Sequence, residues 1–301
     1  MQIVRSLIVV GLLAIGHPAA VHAAEDYANC TGFIDTLPAT IATQGTWCLK
    51  KHLYTSQTSG AAITIANDNI TIDCNDFRLS GLGAGKSTNA IGILSAADRH
   101  DATIRHCRIQ GFKFGLQLAG SNHLVEKNHL DGNRYIGIYT DGEANVVRDN
   151  FIVSTGGLPG MAYAYAIYAT GGSNSATQPQ ILDNQIGGVS PAGNAAEQRY
   201  PRGILGSGLV AGNVVSLFGF AANQPRNEPT FAYGIYLVDR GIVNNNALLE
   251  WDFVRGIGIR GNGEATSICR DNDVQQYTQY PESKGISDCQ LAGQNLVQIF
   301  P

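Results

Sequence analysis

The stretch Val147–Ile152 reads VRDNFI, and its pattern returns along most of the chain. The pattern is an apolar residue, two others, an asparagine, one more residue and an aliphatic residue. Further copies are VEKNHL from Val125, ILDNQI from Ile181, VAGNVV from Val210 and VNNNAL from Val243, with the degenerate copies IRHCRI from Ile104 and CRDNDV from Cys269. Self-similarity of this kind is typical of proteins built by stacking one small unit.

A second pattern, glycine or alanine followed by an aliphatic residue, alternates with the first. Its copies begin at residues 92, 115, 137, 166, 203, 234, 256 and 285, so the shortest unit has 22 residues. A unit of two or three short strands cannot bury its own apolar face, but stacked units can. If each unit makes one turn of a coil, equal strands pair in parallel about 4.8 Å apart. The recurring asparagines then form a ladder of side-chain amides that bond from coil to coil.

With these repeats the sequence resembles the right-handed parallel β-helix repeat proteins of the pectate-lyase-like superfamily. The resemblance covers the chain from Ile63 onward and implies an all-β, single-stranded right-handed parallel β-helix (a solenoid) of about eight coils. It is informative about the fold and says little about function, because the repeat describes the scaffold. The NTD and GHG segments of polygalacturonase-like members and the DPHE segment of alginate-epimerase-like members are missing from the sequence, which disfavours those activities.

The N-terminus reads as a secretory signal peptide over residues 1–23, with Arg5, an apolar run from Leu7 to Gly16 and the small-residue cleavage site Val21-His22-Ala23. We expect residues 24–62 to form an N-terminal cap segment and residues 63–301 to form the β-helix domain. No later segment has the roughly 18 uninterrupted apolar residues of a spanning helix. The sequence thus predicts an exported, periplasmic or extracellular protein without a membrane span, expected to be a monomer.

The six cysteines all follow the predicted signal peptide. An even number in an oxidising compartment favours disulfides. We predict Cys30 with Cys48 as a staple on the N-terminal segment, and then Cys74 with Cys107 and Cys269 with Cys289. Zinc binding is the competing interpretation, but the sequence has no CxxC pair.

Composition and motifs argue against nucleotide and nucleic-acid partners. The stretch LSGLGAGKST from Leu79 resembles a phosphate-binding loop, but Ser80 stands where that motif needs its first glycine. We interpret it as a glycine-rich turn. The net charge is −4 over the whole chain and −5 without the signal peptide, which leaves 19 basic and 24 acidic residues. An acidic balance disfavours a general nucleic-acid binder.

Long insertions follow the asparagine strands of the copies containing Asn150, Asn184 and Asn213. Since they occupy the same place in each unit, they should emerge on one side of the solenoid, which is often the binding face. Aromatic and charged side chains here suit sugar stacking and carboxylate recognition, although they could equally pack the loops together. They are Tyr163, Tyr165, Glu197, Arg199, Tyr200, Arg202, Arg226, Glu228, Phe231, Tyr233, Trp251, Asp252 and Arg255.

Aligning the copies of the second pattern on the aliphatic residue predicts vertical columns of side chains. The residue after it should point outward, which puts Tyr139, Tyr168 and Tyr236 in one column suited to a polysaccharide track. The alternative is that the insertions cover these tyrosines as ordinary packing. Trp251 is the further aromatic residue that we assign to substrate binding.

The residue two places before the aliphatic becomes cationic in the later coils, with Arg202, Tyr233, Arg255 and Lys284 in succession. A buried row of cations would be costly, so we expect this column to face a groove. Cations that neutralise a uronic-acid carboxylate and a base that removes the neighbouring proton would support β-elimination. We therefore predict Arg202, Tyr233 and Arg255 as catalytic residues and Lys284 as a substrate contact. The alternative is salt bridging to Glu228, Glu250 or Asp252.

The sequence favours an exported protein that binds, and by β-elimination cleaves, an acidic polysaccharide. The alternative hypothesis is a non-catalytic envelope or surface scaffold that serves as an interaction module. Metal delivery is a third hypothesis, prompted by His100, His106, His123 and His129, but their offsets in the repeat differ and methionine is nearly absent. We predict no metal site and no cofactor, and leave a calcium requirement open.

Overall fold

The computed structural model describes residues 27–171, 176–192, 199–218, 231–251, 255–263, 265–277 and 283–300. The predicted signal peptide lies outside these residues. Within them the chain forms 29 short β-strands and one 3₁₀ turn at Leu82–Ala84. All strand pairs are parallel, and none of the described helical segments is long and apolar enough to cross a membrane.

The strands follow in chain order. The first are β1 (Gly32–Phe33), β2 (Ala39–Ile41), β3 (Gly45–Cys48), β4 (Leu53–Tyr54), β5 (Ala61–Ile65), β6 (Ile70–Asp73), β7 (Arg78–Ser80), β8 (Ile91–His100), β9 (Thr103–Arg105) and β10 (Arg108–Gln110). The next are β11 (Phe114–Ser121), β12 (Leu124–Glu126), β13 (His129–Asp131), β14 (Ile136–Asp141), β15 (Val146–Arg148), β16 (Phe151–Gly156), β17 (Tyr163–Thr170), β18 (Gln180–Leu182), β19 (Gln185–Ser190) and β20 (Tyr200–Ala211). The last are β21 (Val214–Phe218), β22 (Phe231–Asn244), β23 (Ala247–Trp251), β24 (Arg255–Arg260), β25 (Ser267–Arg270), β26 (Asp273–Tyr277), β27 (Lys284–Ser287), β28 (Gln290–Ala292) and β29 (Leu296–Phe300).

Each strand stacks on the equivalent strand of the next coil, which gives three rows. Row 1 runs through β2, β5, β8, β11, β14, β17, β20, β22, β24 and β27, and row 2 through β1, β3, β6, β9, β12, β15, β18, the ends of β20 and β22, β25 and β28. Row 3 is a separate sheet of β4, β7, β10, β13, β16, β19, β21, β23, β26 and β29. The ten strands of row 3 make more coils than the eight predicted. The stack begins with β1–β4, inside the segment 24–62 that the sequence assigned to the cap.

The core is made of aliphatic columns, one for each row. In row 1, Ile138 pairs with Leu116 on one side and Ile167 on the other, and all three are fully buried. Val125 and Val147 occupy the equivalent place in row 2, and Leu130 and Ile152 in row 3. Burying each such side chain contributes about 1.5–3 kcal/mol. The predicted all-β parallel solenoid is therefore confirmed.

The predicted asparagine ladder is present and continuous. The side-chain oxygen of Asn184 accepts hydrogen bonds from the backbone N–H of Asn150 at 3.1 Å and from its amide nitrogen at 3.0 Å. The amide of Asn184 donates in turn to Asn213 Oδ1 and to the carbonyl of Val147, both at 2.9 Å. The ladder members are Asn128, Asn150, Asn184, Asn213, Asn246, Asn272 and Asn295, and Cys107 donates its N–H to the first of them.

A second, shorter ladder was not recognised in the sequence. Asn145 Oδ1 accepts the backbone N–H of His123 at 2.9 Å, and His123 Nδ1 accepts that of Ala102 at 3.2 Å. His123 Nε2 lies 3.3 Å from the carbonyl of Ala119, so the neutral tautomer with the proton on Nε2 satisfies both contacts. His123 is thus a structural residue rather than a metal ligand.

Residues just before the ladder asparagines adopt a left-handed conformation that turns the chain from row 2 into row 3. Lys127, Asp149 and Asp183 have φ between 54° and 56°, and Gly212 has φ 69°. A Cβ on Gly212 would collide with the Asp183 carboxylate. Asp, Asn and Gly are the residues that most readily adopt this conformation.

The register of β24 differs from the predicted one by two residues. Ile235 pairs with Ile259 rather than with Ile257, and Tyr236 pairs with Arg260. The sequence RGIGIR contains two glycine–isoleucine pairs, and a slip of two residues keeps every side chain on the same face of a strand. The repeat pattern placed Ile257 of the first pair at the inward position, whereas Ile259 of the second pair occupies it in the structure.

The three predicted disulfides, Cys30–Cys48, Cys74–Cys107 and Cys269–Cys289, are all formed. The glycine-rich stretch at Leu82–Gly85 is a turn in which Gly85 has φ 80°, as predicted.

Replacing Asn184 with alanine should destabilise the protein by at least about 3 kcal/mol, because it leaves several buried polar groups without partners at about 1–3 kcal/mol each. Denaturant unfolding measures the loss. Asn295→Ala is the control, since this last ladder residue is partly exposed and water can replace its partners. Equal losses in the two variants would contradict the role given to the ladder.

Burial lowers the pKa of His123 below its ordinary value of 6.5, although the bond to Ala119 opposes the shift. The unfolded chain therefore binds the proton more tightly than the folded one. Stability contributed by neutral His123 should be complete above pH 6.5 and decline as the pH falls below it. Unfolding free energies of the wild type and His123→Asn, measured from pH 8 to about pH 4, should converge as the pH falls. A constant difference would contradict this assignment.

Candidate functional site

Two columns of row 1 face outward side by side, because the chain breaks its two-residue alternation at a small residue, glycine in most coils and Ala166 in β17. A Cβ on Gly137 would lie 2.6 Å from the carbonyl oxygen of Ala166, so only glycine fits before the inward Ile138. As a result, the residue two places before the inward aliphatic residue lies beside the residue that directly follows the aliphatic residue. The ring centroids of Tyr165 and Tyr168 are 5.5 Å apart, and those of Tyr233 and Tyr236 are 5.1 Å apart.

These columns form a continuous surface that we call the aromatic face. It extends from β11 to β24, which is five strand separations or about 24 Å. Its rings contact one another from coil to coil, for example Tyr139 with Tyr168 at 5.0 Å and Tyr163 with Tyr200 at 4.8 Å. The aromatic face consists of Phe114, Tyr135, Tyr139, Tyr163, Tyr165, Tyr168, Tyr200, Arg202, Phe231, Tyr233, Tyr236 and Arg260.

Arg202 lies among tyrosines in the middle of this face. Its guanidinium carbon is 5.0 Å from the ring centroid of Tyr236, 5.2 Å from Tyr233 and 5.4–5.5 Å from Tyr163 and Tyr165. Its Nε is buried without a hydrogen-bond partner, and no carboxylate of the described residues pairs with it. Cation–π contacts thus hold a guanidinium whose charge the described part of the chain does not neutralise.

Arg260 is the second cation of the face and pairs with Tyr236 in the outward column, whereas Ile257 takes the place beside Tyr233 that the repeat pattern assigned to Arg255. Its Nη1 donates to Tyr233 Oη at 3.0 Å, and its Nε lies 3.3 Å from Asp288 Oδ2. Burial opposes its charge, but the bond to Tyr233 and the nearby carboxylate outweigh it, so the pKa of Arg260 is raised. Arg255 pairs with Phe231 instead of following Tyr233, and its side chain lies outside the described residues.

Tyr233 does not have the exposure expected of a catalytic base. It is only 8% exposed, and its hydroxyl oxygen accepts the hydrogen bond from Arg260. Its ring contacts Phe231 and Tyr236 and lies against Arg202. Tyr233 therefore contacts both cations of the face, Arg260 through its hydroxyl and Arg202 through its ring.

The structure brings most of the predicted substrate contacts together. Tyr139, Tyr168 and Tyr236 share the outward column, with Leu205 between the last two. Lys284 is exposed and pairs with Ile257 in the neighbouring column, beyond Tyr233. Trp251 belongs to β23 of row 3 and not to row 1, and its side chain lies outside the described residues.

Burial favours the neutral form of several tyrosines of the face. Burial raises the pKa of Tyr165 to about 12, with Arg202 opposing the shift. Burial raises the pKa of Tyr139 and of Tyr168 as well, and Asp141 adds to both shifts. Neutral tyrosines offer ring surfaces and hydroxyl donors, which suits binding rather than proton abstraction.

The other candidate acid–base and metal-binding side chains lie apart from one another. Asp141 accepts a hydrogen bond from Thr170 at 3.0 Å, whereas Glu126 pairs with Arg148 in row 2. His106 lies 3.4 Å from Asp73, also on the row 2 side. Groups of three or more side chains that could hold a metal ion do not occur among the described residues.

Sequence reasoning missed Phe114, Tyr135 and Arg260. Phe114 stood in the aligned column but was not assigned to the site, and Tyr135 lies one residue before β14. The signal for Arg260 was present, since it follows the second glycine–isoleucine pair of RGIGIR. Placing it required the register of β24.

A family model described as "Right handed beta helix region" matches residues 43–198, which is slightly more than half of the chain. No curated protein matches the sequence significantly.

Several solved structures resemble the chain at low sequence identity. An alginate lyase from Paenibacillus sp. str. FPU-7 is 12% identical with a TM-score of 0.43, over 87% of this chain and 99% of that one. A mutant tailspike protein of E. coli bacteriophage HK620, in complex with a hexasaccharide, is 12% identical with a TM-score of 0.47, over 88% of this chain and 58% of that one. A mannuronan C-5 epimerase module from Azotobacter vinelandii is 12% identical with a TM-score of 0.36, over 91% and 90% of the two chains.

Because burial raises its pKa to about 12, Tyr165 should ionise late when the folded protein is titrated with alkali. Folding stability linked to Tyr165 should be present below its ordinary value of 10 and decline as the pH rises toward 12. Ultraviolet absorbance of tyrosinate follows the titration. Tyr165→Phe should remove amplitude from the late phase and leave the early phase unchanged. Loss of early amplitude in Tyr165→Phe would contradict its burial.

Proposed function

We propose that this chain, which belongs to the right-handed β-helix family, is an exported protein that binds an acidic polysaccharide along its aromatic face. The observation that carries the proposal is Arg202, a cation held by four tyrosine rings without a carboxylate partner among the described residues. A ligand carboxylate would supply the missing partner.

The tyrosine columns suit an extended sugar chain. Sugar rings present apolar C–H faces that pack on aromatic rings, while their hydroxyl groups need polar neighbours. Tyr139, Tyr168 and Tyr236 are partly exposed, and each carries a hydroxyl group at the edge of its ring. They lie on successive or nearby coils in one column, so a chain that follows the solenoid axis contacts them in turn.

The two arginines give the face its preference for acidic sugars. They lie two coils apart, which corresponds to about 10 Å, with Tyr233 and Tyr236 between them. Guanidinium groups bind carboxylates through paired, charge-assisted hydrogen bonds. Asp288 already balances Arg260 in part, so Arg202 is the stronger anion contact of the two.

The geometry favours binding over cleavage. Tyr233 is buried, Arg255 does not follow it in the column, and the carboxylates Asp141 and Glu126 of the described residues lie on different rows. This supports the hypothesis of a non-catalytic module whose rigid scaffold presents a binding face. The three disulfides support an oxidising compartment, periplasmic or extracellular.

Arg202→Met should weaken binding to a polymer of uronic acids at least tenfold, or about 1.4 kcal/mol, because the apolar stem remains while the charge is lost. Affinity is measured by calorimetry against soluble uronic-acid oligomers and a neutral glucan. Arg270→Met is the matched control, since Arg270 is an exposed strand arginine away from the face. Undiminished binding by Arg202→Met, or no binding to any uronic-acid oligomer, would overturn the proposal.

Incubation with the same oligomers should yield no unsaturated product, which is detected by its ultraviolet absorbance. The physical reason is the burial of Tyr233 and its bond to Arg260. If product did form and Tyr233→Phe abolished it while leaving binding intact, the β-elimination hypothesis would be restored.

A further inference from the structure

A column of basic side chains runs up the outer surface of row 3, a different sheet from the row 1 strands of the aromatic face. Arg108 of β10 pairs with Arg78 of β7 on one side and with His129 of β13 on the other. Because Leu53 pairs with Leu79, His52 stands next to Arg78. Four consecutive coils thus carry a basic residue at one outward position, which we call the basic strip: His52, Arg78, Arg108 and His129.

The basic strip is unbalanced. Neither Arg78 nor Arg108 forms a salt bridge with a carboxylate of the described residues. Like charges directly opposite each other on paired strands are destabilising, and here their strands are about 4.8 Å apart. Asp131 is the one carboxylate that lines the same part of the surface, and it is exposed. The arrangement therefore costs free energy unless an anion joins it.

The surface has a place for such an anion. Arg78, Arg108, Ile109, Gln110, His129 and Asp131 line a depression of about 60 Å³. It is too small for a run of sugar rings and large enough for a small ion. The amide nitrogen of Gln110 donates to Ser80 at 3.0 Å, which fixes the orientation of one wall.

Neighbouring contacts hold the strip in place. His52 Nδ1 accepts the backbone N–H of Arg78 at 3.0 Å, so the ring nitrogen that remains, Nε2, is a donor. The His52 ring packs on Phe77 at 5.5 Å, and the His129 ring packs on Phe151 at 5.0 Å. The donors at both ends of the strip are therefore positioned by aromatic neighbours.

We propose that the basic strip binds a phosphate group, independently of the aromatic face. Two guanidinium groups on adjacent strands present several N–H donors to a tetrahedral oxyanion. Asp131 adds selectivity, since a carboxylate can accept a hydrogen bond from a P–O–H group but repels an oxyanion without a proton. At neutral pH inorganic phosphate keeps such a proton and sulfate does not. The site thus prefers phosphate over sulfate.

Calorimetric titration of the full chain with inorganic phosphate tests the proposal, with sulfate and glycerol 1-phosphate as parallel arms. We expect a Kd of about 1 mM for phosphate and binding at least tenfold weaker for sulfate. Arg108→Gln should weaken phosphate binding about tenfold, and Arg78→Gln/Arg108→Gln should abolish it. Arg270→Gln, an exposed strand arginine in row 2, is the matched control and should bind like the wild type.

Asp131→Asn tests the selectivity. It should strengthen sulfate binding and bring the phosphate-to-sulfate ratio close to one, because the repulsion and the acceptor are both removed. A ratio that stays unchanged would overturn the role of Asp131. Binding of glycerol 1-phosphate that is lost in the double variant would identify phosphate esters as a source of the ligand, whereas binding of inorganic phosphate alone would identify the free ion.

Thermal unfolding gives a readout that does not depend on ligand heat. In low salt without phosphate, Arg108→Gln should be at least as stable as the wild type, since like-charge repulsion is relieved. Phosphate should raise the Tm of the wild type more than that of the variant. Absence of binding up to tens of millimolar phosphate, or binding unaffected by the double variant, would overturn the proposal.

Discussion

The fold depends on the side-chain amides of the asparagine ladder, one in each of the seven coils from Asn128 to Asn295. Between the two ends of the ladder, each asparagine oxygen accepts two hydrogen bonds from the coil before, and each amide nitrogen donates to the coil after and to a carbonyl. A network that is fully satisfied rigidifies a structure, and the same groups without partners cost about 1–3 kcal/mol each. A coil out of phase at Asn184 would orphan several such groups at once. The ladder therefore fixes the phase of the coils that it joins at the turn between rows 2 and 3.

The ladder constrains only the turn where it lies, and it does not determine the register of the row 1 strands. Asn246 bonds to Asn272 as in every other coil, yet β24 pairs two residues away from the position expected from the repeat. Between the ladder and row 1 each coil can absorb insertions of different length, since the next strand needs only an inward aliphatic and a preceding glycine. Gly258 meets this need, because a Cβ there would collide with Val274 and with the carbonyl of Gly285.

The sequence was accordingly most informative where the same residue type recurs at the same place of each repeat. The asparagines and the inward aliphatics are specified by residue type and followed from the pattern alone. Sequence reasoning failed where two arrangements have the same pattern, as with Ile257 and Ile259, or where a different residue does the same work, as with His123 in the second ladder. The burial of Tyr233 could not be predicted either, because it arises from neighbours on three coils.

Equivalent residues of successive coils lie about 4.8 Å apart, so the coil on which a charged residue stands sets its distance from other charges. This spacing differs between the aromatic face and the basic strip. On the aromatic face, Arg202 and Arg260 lie two coils apart with tyrosines between them, so each guanidinium gains ring contacts and their mutual repulsion is reduced. In the basic strip, Arg78 and Arg108 lie on adjacent coils, and no ring separates them. Coulomb repulsion falls with distance, so at equal exposure the adjacent arginines repel each other more strongly than the pair two coils apart. The net charge of −4 hides this, because attraction for an anion is set by the few charges within a Debye length of it, about 8 Å in physiological salt.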